Sequence, residues 1–351
     1  MAPVFTIAEY AQASGRDLIT NVVLAYEIYQ RFADVFWNPG FDNTNFACLG
    51  TAIAAGKLLR FTPEQLSHCI SMAVVPNVIL KQARVGHLTM FYTAPSGHAG
   101  RAGVFAAMLA RAGMEGPHMP FEGKAGWCDN VARKRFSLDT LGGKDTPFKI
   151  MDTQIKSRPS TATAMSCILA AEKVAPIKNI NDIIKVIVAV HKYAKDREGK
   201  YGDVGELNPD SRVTAYYSIP YLVAVTLMDG TVTLRSYNDA HLWNPELRAF
   251  LKKIEVVEDG EFTKAYYGTP QLHRMRVTVI TNSGEQLVGE AGGGDKDDLT
   301  SPKSDEQIEK KFRGLTEDVL GANLANLILE RLWHLEDLKN VAEIPPLLVL
   351  A

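Results

Sequence analysis

The chain has 351 residues, 46% apolar and 22% charged, with a formal net charge of −2. That length supports two domains and sizeable cores. The near-neutral balance, with no stripe of interleaved Lys, Arg and aromatic residues, excludes a nucleic-acid surface. No apolar run is long enough to span a membrane. The opening MAPVFTIAEYAQASGRD lacks the basic start and apolar core of a secretory signal. Cys48, Cys69, Cys128 and Cys167 lie far apart with no C-x-x-C pair, which suits free thiols in a cytoplasmic protein.

Residues 14–35 carry Leu18, Val22, Tyr26, Tyr29 and Phe32 at helical spacing. Residues 48–60 predict a second helix, rich in Ala and Gly. In FTPEQLSHCISMAVV, Thr62 is placed as an N-cap, Pro63 as the first helical residue and Gln65 as the partner in a capping box. Small residues from Ala99 to Ala110 predict a helix that lets its neighbours approach closely, so the first 145 residues read as all-helical. After LGGKDTPFKI the character changes. Residues 183–190, IIKVIVAV, predict a strand. VTAYYSIPYLVAVTLMDGTVTLRSY predicts a helix, a turn at Asp229-Gly230 and a strand. MRVTVITNSGEQLVGEAG predicts a hairpin turning at Asn282-Ser283-Gly284. Helical spacing returns with Ser304 and Gln307 as a capping box, then Ile308, Phe312 and LGANLANLILERLWHLEDL.

The pattern predicts an α+β fold of two domains, a large all-helical one with a smaller α+β domain inserted. The helical domain takes residues 1–147 and 304–340, the α+β domain 148–303, and a tail 341–351. No His, Cys, Asp or Glu cluster has metal-ligand spacing. Neither a G-x-x-x-x-G-K-[ST] loop nor a strand-linked G-x-G-x-x-G occurs, and Gly292-Gly293-Gly294 reads as a flexible loop. No metal or cofactor is therefore expected.

Several stretches, among them SGRDLITNVVLAYEIYQRFAD, GFDNTNFACLGTAIAAGKLL, KQARVGHLTMF, GPHMPFEGKAGW, PFKIMDTQIKSRP, SIPYLVAVTLMDG and SDEQIEKKF, together resemble the MmgE/PrpD family. Its members include 2-methylcitrate dehydratase, cis-aconitate decarboxylase and iminodisuccinate epimerase. The resemblance implies a helical domain plus a smaller α+β domain, an active site in the cleft between them, a small-molecule substrate, no cofactor and a homodimer. Relatives begin with a further helical segment; its absence here would leave the stripe Leu18, Val22 and Tyr26 bare, a second motive for the dimer.

Departures fall on the site that the resemblance implies. Gly40-Phe41-Asp42-Asn43 stands where relatives read G-W-D-H, and Asn38-Pro39 matches a His-Pro of others. Met90-Phe91-Tyr92 stands where a lysine follows Met-Trp, and Tyr216-Tyr217 replaces an Asp-His pair, while Lys156 of IKSRP matches the family lysine. Asn cannot transfer a proton, and Tyr is normally neutral at pH 7. The candidate catalytic residues are Tyr92, Asn43, Asp42, Lys156 and Tyr217; Arg84, His87, Met90, Phe91, His98, Trp37 and Tyr216 are candidate substrate contacts. Each has a structural alternative: a turn hydrogen-bonder for Asp42 and Asn43, core packing for Tyr92, a surface cation for Lys156, an ion pair for Arg84, a backbone-satisfied imidazole for His87 and His98.

A site of aromatic faces and neutral donors suits a mostly apolar substrate. The first expectation is a repurposed enzyme of secondary metabolism that cyclises or isomerises such a molecule by orientation and neutral hydrogen bonding, an intramolecular Diels–Alder reaction being one example. The alternatives are a dehydratase or lyase of a 2-methylcitrate-like acid, and a non-catalytic binding or partner subunit.

Overall fold

The computed structural model describes residues 1–36, 38, 40–200 and 208–349, with backbone alone at 197–200. It divides into two compact units, Met1–Ala83 with Phe91–Thr153 and Thr316–Ala351, and Arg84–Met90 with Gln154–Leu315.

The first unit is framed by α1 (Ala2–Tyr10), α2 (Gly15–Val35), α3 (Asn45–Leu58), α4 (Pro63–Val74) and α5 (Ala94–Arg111). Helix α2 starts where Ser14 and Asp17 close a capping box; α4 starts where Thr62 and Gln65 do, with Pro63 in its first turn. Small residues bring α2 and α3 together: a Cβ on Gly50 would lie 2.5 Å from the Ala25 carbonyl oxygen. The Leu18 stripe of α2 is not bare. Leu18 is buried with Val4 and Ile7 of α1 and with Val341, and Val22 packs against the same core. The chain's own segments cover Leu18 and Val22, so that motive for a dimer is withdrawn. A second core is aromatic, with Phe36 and Trp127 ring centroids 4.5 Å apart and Phe32 and Phe46 packed around them. Buried Glu27 accepts from Gly142 N at 2.7 Å, Lys149 N at 2.6 Å and Arg31 Nε at 2.8 Å, fastening residues 142–149 to α2.

In the second unit, α6 (Met165–Glu172) precedes β1 (Ile183–Val190), where β-branched residues alternate between core and surface. The chain then passes through α7 (Lys192–Lys200), α8 (Arg212–Tyr217), α9 (Ile219–Asp229), α10 (Asp239–Leu242) and α11 (Pro245–Leu251). It reaches β2 (Ile254–Glu258), which pairs parallel to β1; so long a connection is what a parallel pair requires. After α12 (Gly260–Tyr266), β3 (Met275–Thr281) pairs antiparallel to β1, and β4 (Gln286–Ala291) completes the hairpin, giving the order β2-β1-β3-β4. A Cβ on Gly289 would fall 2.0 Å from the Ala170 carbonyl oxygen, so glycine lets α6 lie directly on β4. Ser304 and Gln307 open α13 (Asp305–Leu320) with reciprocal bonds of 3.0 and 3.3 Å; the chain re-enters the first unit at Thr316, and α14 (Ala322–Trp333) belongs to that unit.

Two expectations fail locally. The helix predicted before Asp229 is two helices, because Pro220 has no N–H to carry the α8 ladder on to the Tyr216 carbonyl; extended Ser218 ends α8 and caps α9, accepting from Tyr221 N at 3.2 Å. The strand predicted after Gly230 is a 3-10 turn, Leu234–Tyr237. There Thr233 and Ser236 side chains bond the local backbone and take its donors away from any ladder. No helix among the described residues is long and apolar enough to cross a membrane.

Candidate functional site

Within the second unit a cavity of about 760 Å³ opens between the segment Ile155–Pro159, the turn after α9, the loop after β4 and one face of α13. Gln307, Lys311 and Gly314 recur at helical spacing, which is why one face of α13 forms a wall.

Lys156 is held at this cavity by two acceptors, Ser160 O at 2.7 Å and Tyr216 Oη at 2.6 Å; Tyr216 in turn donates to Ser160 O at 2.6 Å. The helix break at Ser218 leaves Tyr216 and Tyr217 in the last turn of α8, their rings 5.0 Å apart. Tyr237 donates to Pro159 O at 2.6 Å, and burial pushes its phenol well up, so it is neutral. The adjacent wall is an ion-pair network. Arg158 meets Glu172 in a fork, Nε to Oε1 at 2.6 Å and Nη2 to Oε2 at 2.7 Å, and reaches Asp297 at 3.3 Å. Burial opposes the Arg158 charge, but Glu172 and Asp297 more than restore it. Gln307 Nε2 donates to Asp297 Oδ1 at 2.7 Å, joining α13 to the network. Lys303 donates to Asp298 O and Ser301 O, each at 2.6 Å. The buried Asp298 carboxylate accepts from Gly292 N at 2.9 Å, Gly294 N at 2.6 Å and Asp295 N at 2.7 Å, so these donors of the glycine run are already taken.

Six basic side chains line the cavity, Lys156, Arg158, Lys296, Lys303, Lys310 and Lys311, against the carboxylates Glu172, Asp297 and Glu306. Two of these carboxylates are committed to Arg158. The remaining charge is strongly positive, and a concave positive site concentrates anions. Burial lowers the Lys303 ammonium, with Asp297 and Asp298 opposing; burial and then the positive Lys156 lower that of Lys311.

Of the residues singled out from sequence, Lys156 lines this cavity; Tyr216 bonds Lys156 without lining the cavity itself, and Tyr217 packs on the ring of Tyr216. The others of this unit lie in its other segment: Arg84 ends a one-turn helix, Met90 is 84% exposed, and exposed His87 stands 3.8 Å from Asp210. In the first unit Asp42 is buried, accepts from Thr44 N at 3.0 Å and Thr44 Oγ1 at 2.7 Å, and lies 3.6 Å from Lys81. That is the turn-forming role of an Asp before a helix. Asn43 and Phe91 are exposed, Tyr92 is half-buried, and His98 on α5 pairs with Arg101 at 3.4 Å. Trp37 lies outside the described residues. Arg158, Glu172, Asp297, Lys303 and Lys311 were not singled out; of these only Lys311 carried a local signal, a lysine one turn after a capping Gln307. The four cysteines are buried, and burial pushes Cys48 and Cys69 up to about 12, so neither is a thiolate near neutrality. Among the described residues no three His, Cys, Asp or Glu side chains converge for a metal ion.

The chain is similar to human cis-aconitate decarboxylase, 22% identical over 324 residues, covering 86% of this chain and 61% of the relative. It is 23% identical to the Aspergillus terreus cis-aconitate decarboxylase over 95% of this chain and 71% of that protein. It is 25% identical to the Salmonella typhimurium 2-methylcitrate dehydratase over 73% of this chain and 54% of that protein. The chain thus spans about three fifths of the human relative's length. The MmgE/PrpD N-terminal domain matches residues 1–139 and the MmgE/PrpD C-terminal domain residues 159–335. Both halves answering in order to the two domains of one family, the chain belongs to the MmgE/PrpD family.

Proposed function

We propose that the protein is a lyase of a small carboxylic acid bearing two or three carboxylates. The observation that carries this is the charge of the cavity, six basic groups against three carboxylates, two of them already paired. Lys156 uses two N–H donors on Ser160 and Tyr216, which leaves one for a substrate carboxylate. A fixed cation there stabilises the enediolate that forms when the carbon next to that carboxylate loses its proton, more than it stabilises the resting acid. Loss of hydroxide or carbon dioxide from the neighbouring carbon completes an elimination. The relatives named as decarboxylases of cis-aconitate and dehydratases of 2-methylcitrate support the class.

Cyclisation of a mostly apolar molecule, with Tyr92, Asn43 and Tyr217 as neutral donors, asks for an apolar wall, and the lysines argue against it. The test is purified protein with 2-methylcitrate, citrate and cis-aconitate, followed by proton NMR. Turnover of at least one above a protein-free control is expected. Absence of turnover, with no carboxylate binding by calorimetry, would return the choice to a cyclase or a partner subunit.

A further inference from the structure

Lys311 differs from the other cations of the cavity. Lys156 and Lys303 each hold two carbonyl or hydroxyl oxygens, and Arg158 is locked between Glu172 and Asp297. Lys296 and Lys310 are exposed. Lys311 is half-buried on the cavity face of α13, and among the described residues it makes no hydrogen bond or ion pair. Gly314, one turn later on the same wall, has no side chain, and a Cβ there would meet nothing within 4 Å.

We propose that Lys311 is the catalytic base of the cavity, taking the proton from the carbon next to a bound carboxylate while Lys156 holds that carboxylate. The proposal rests on the carboxylic-acid lyase function. The neutral Lys311 amine forms an N–H bond as the substrate C–H bond breaks, and the C–H electron pair passes into the carboxylate to give an enediolate facing Lys156. The pair then forms the C=C bond as the C–O bond to the neighbouring hydroxyl breaks. The hydroxide takes its proton back from Lys311 and leaves as water, so the residue returns unchanged and no oxidant or co-reactant is needed. Burial and then the positive Lys156 lower the Lys311 pKa, the direction a base requires. Glu306 on the same helix and Asp297 across the cavity act in the opposite sense, but Asp297 is engaged by Arg158 and Gln307.

The test is 2-methylcitrate in D2O, whose methine carbon lies next to a carboxylate. Proton NMR reads deuterium exchange and product, and calorimetry reads binding, for the wild type, Lys311→Met, Lys311→Arg and Lys156→Met, each checked for an unchanged melting temperature. Lys311→Met and Lys311→Arg are both expected to lose about a hundredfold or more in exchange and turnover, with binding within about threefold, since Arg keeps the charge but not the basicity. Lys156→Met is expected to weaken binding instead. Turnover in Lys311→Arg within about threefold of wild type would reduce Lys311 to a charge and overturn the proposal. Product from Lys311→Met at the wild-type rate leaves the lyase standing and removes Lys311. Exchange that depends on Lys311 without product removes the lyase and keeps the base. Neither exchange nor product in the wild type overturns both.

Discussion

Lys156 and Tyr216 stand 60 residues apart in the chain and meet at 2.6 Å because both donate to the Ser160 carbonyl. Tyr216→Phe removes the acceptor for Lys156 and keeps the ring that packs on Tyr217 and Tyr237. The loss of one such bond is about 1 kcal/mol, so 2-methylcitrate should bind about fivefold more weakly by calorimetry, with the fold unchanged. Unaltered affinity would take the phenol out of the site. These two residues were legible because each sits in a stretch that resembles a family motif. The Arg158 partners were not: Glu172 lies 14 residues away and Asp297 139, and an ion pair formed across a chain leaves no spacing to read. Asp42, placed as catalytic from sequence, makes the hydrogen bonds of a turn, which its residue type already allowed.

At the scale of elements, Ser218 decides where the two tyrosines fall. It terminates α8 and caps α9 with the 3.2 Å bond from Tyr221 N. Ser218→Ala leaves that buried donor unpaired and should cost about 1 kcal/mol, read as a lower urea midpoint at unchanged slope. A midpoint equal to wild type would mean that the cap contributes nothing. The starts of α4 and α13 were legible because a capping box is complete within four residues. The break at Ser218 was signalled by Pro220 and passed over in favour of a continuous apolar pattern. Residues 231–237 show the reverse error: Val232 and Leu234 alternate with polar residues as in a strand, yet local bonds from Thr233 and Ser236 win.

For the molecule as a whole, the sheet of the second unit carries a buried imidazole at the end of its central strand. His191 is fully buried, stacked on Tyr266 at 3.9 Å, and accepts from Ala194 N at 3.2 Å. Burial first, and the neighbouring His273 second, lower its pKa from 6.5 to about 4. The unfolded chain therefore binds a proton below pH 6.5 that the folded chain refuses until about pH 4, so stability is complete above 6.5 and falls between these values. The loss is on the order of 3 kcal/mol. His191→Asn keeps an acceptor for the helix start without a titrating ring, so its melting temperature should change less than the wild type's across that window. Equal slopes for the two would assign the acid sensitivity elsewhere. The homodimer is a proposal that rests on the family resemblance alone, now that Leu18 is found covered within the chain.

Sequence by itself determined the features whose bonds close locally or whose side chains alternate visibly: the capped starts of α4 and α13, the β-branched run of β1, and the hairpin around Asn282-Ser283-Gly284. It also carried the family, because the matching stretches span nearly the whole chain in order. Only the tertiary structure decided the strand order β2-β1-β3-β4 and the charge of the cavity. The physical reason is the same for both. A strand order and a field of lysines are set by groups brought together from segments far apart in the chain, such as Val186 and Ile254 or Lys156 and Lys311, and no local propensity records which distant segment will arrive.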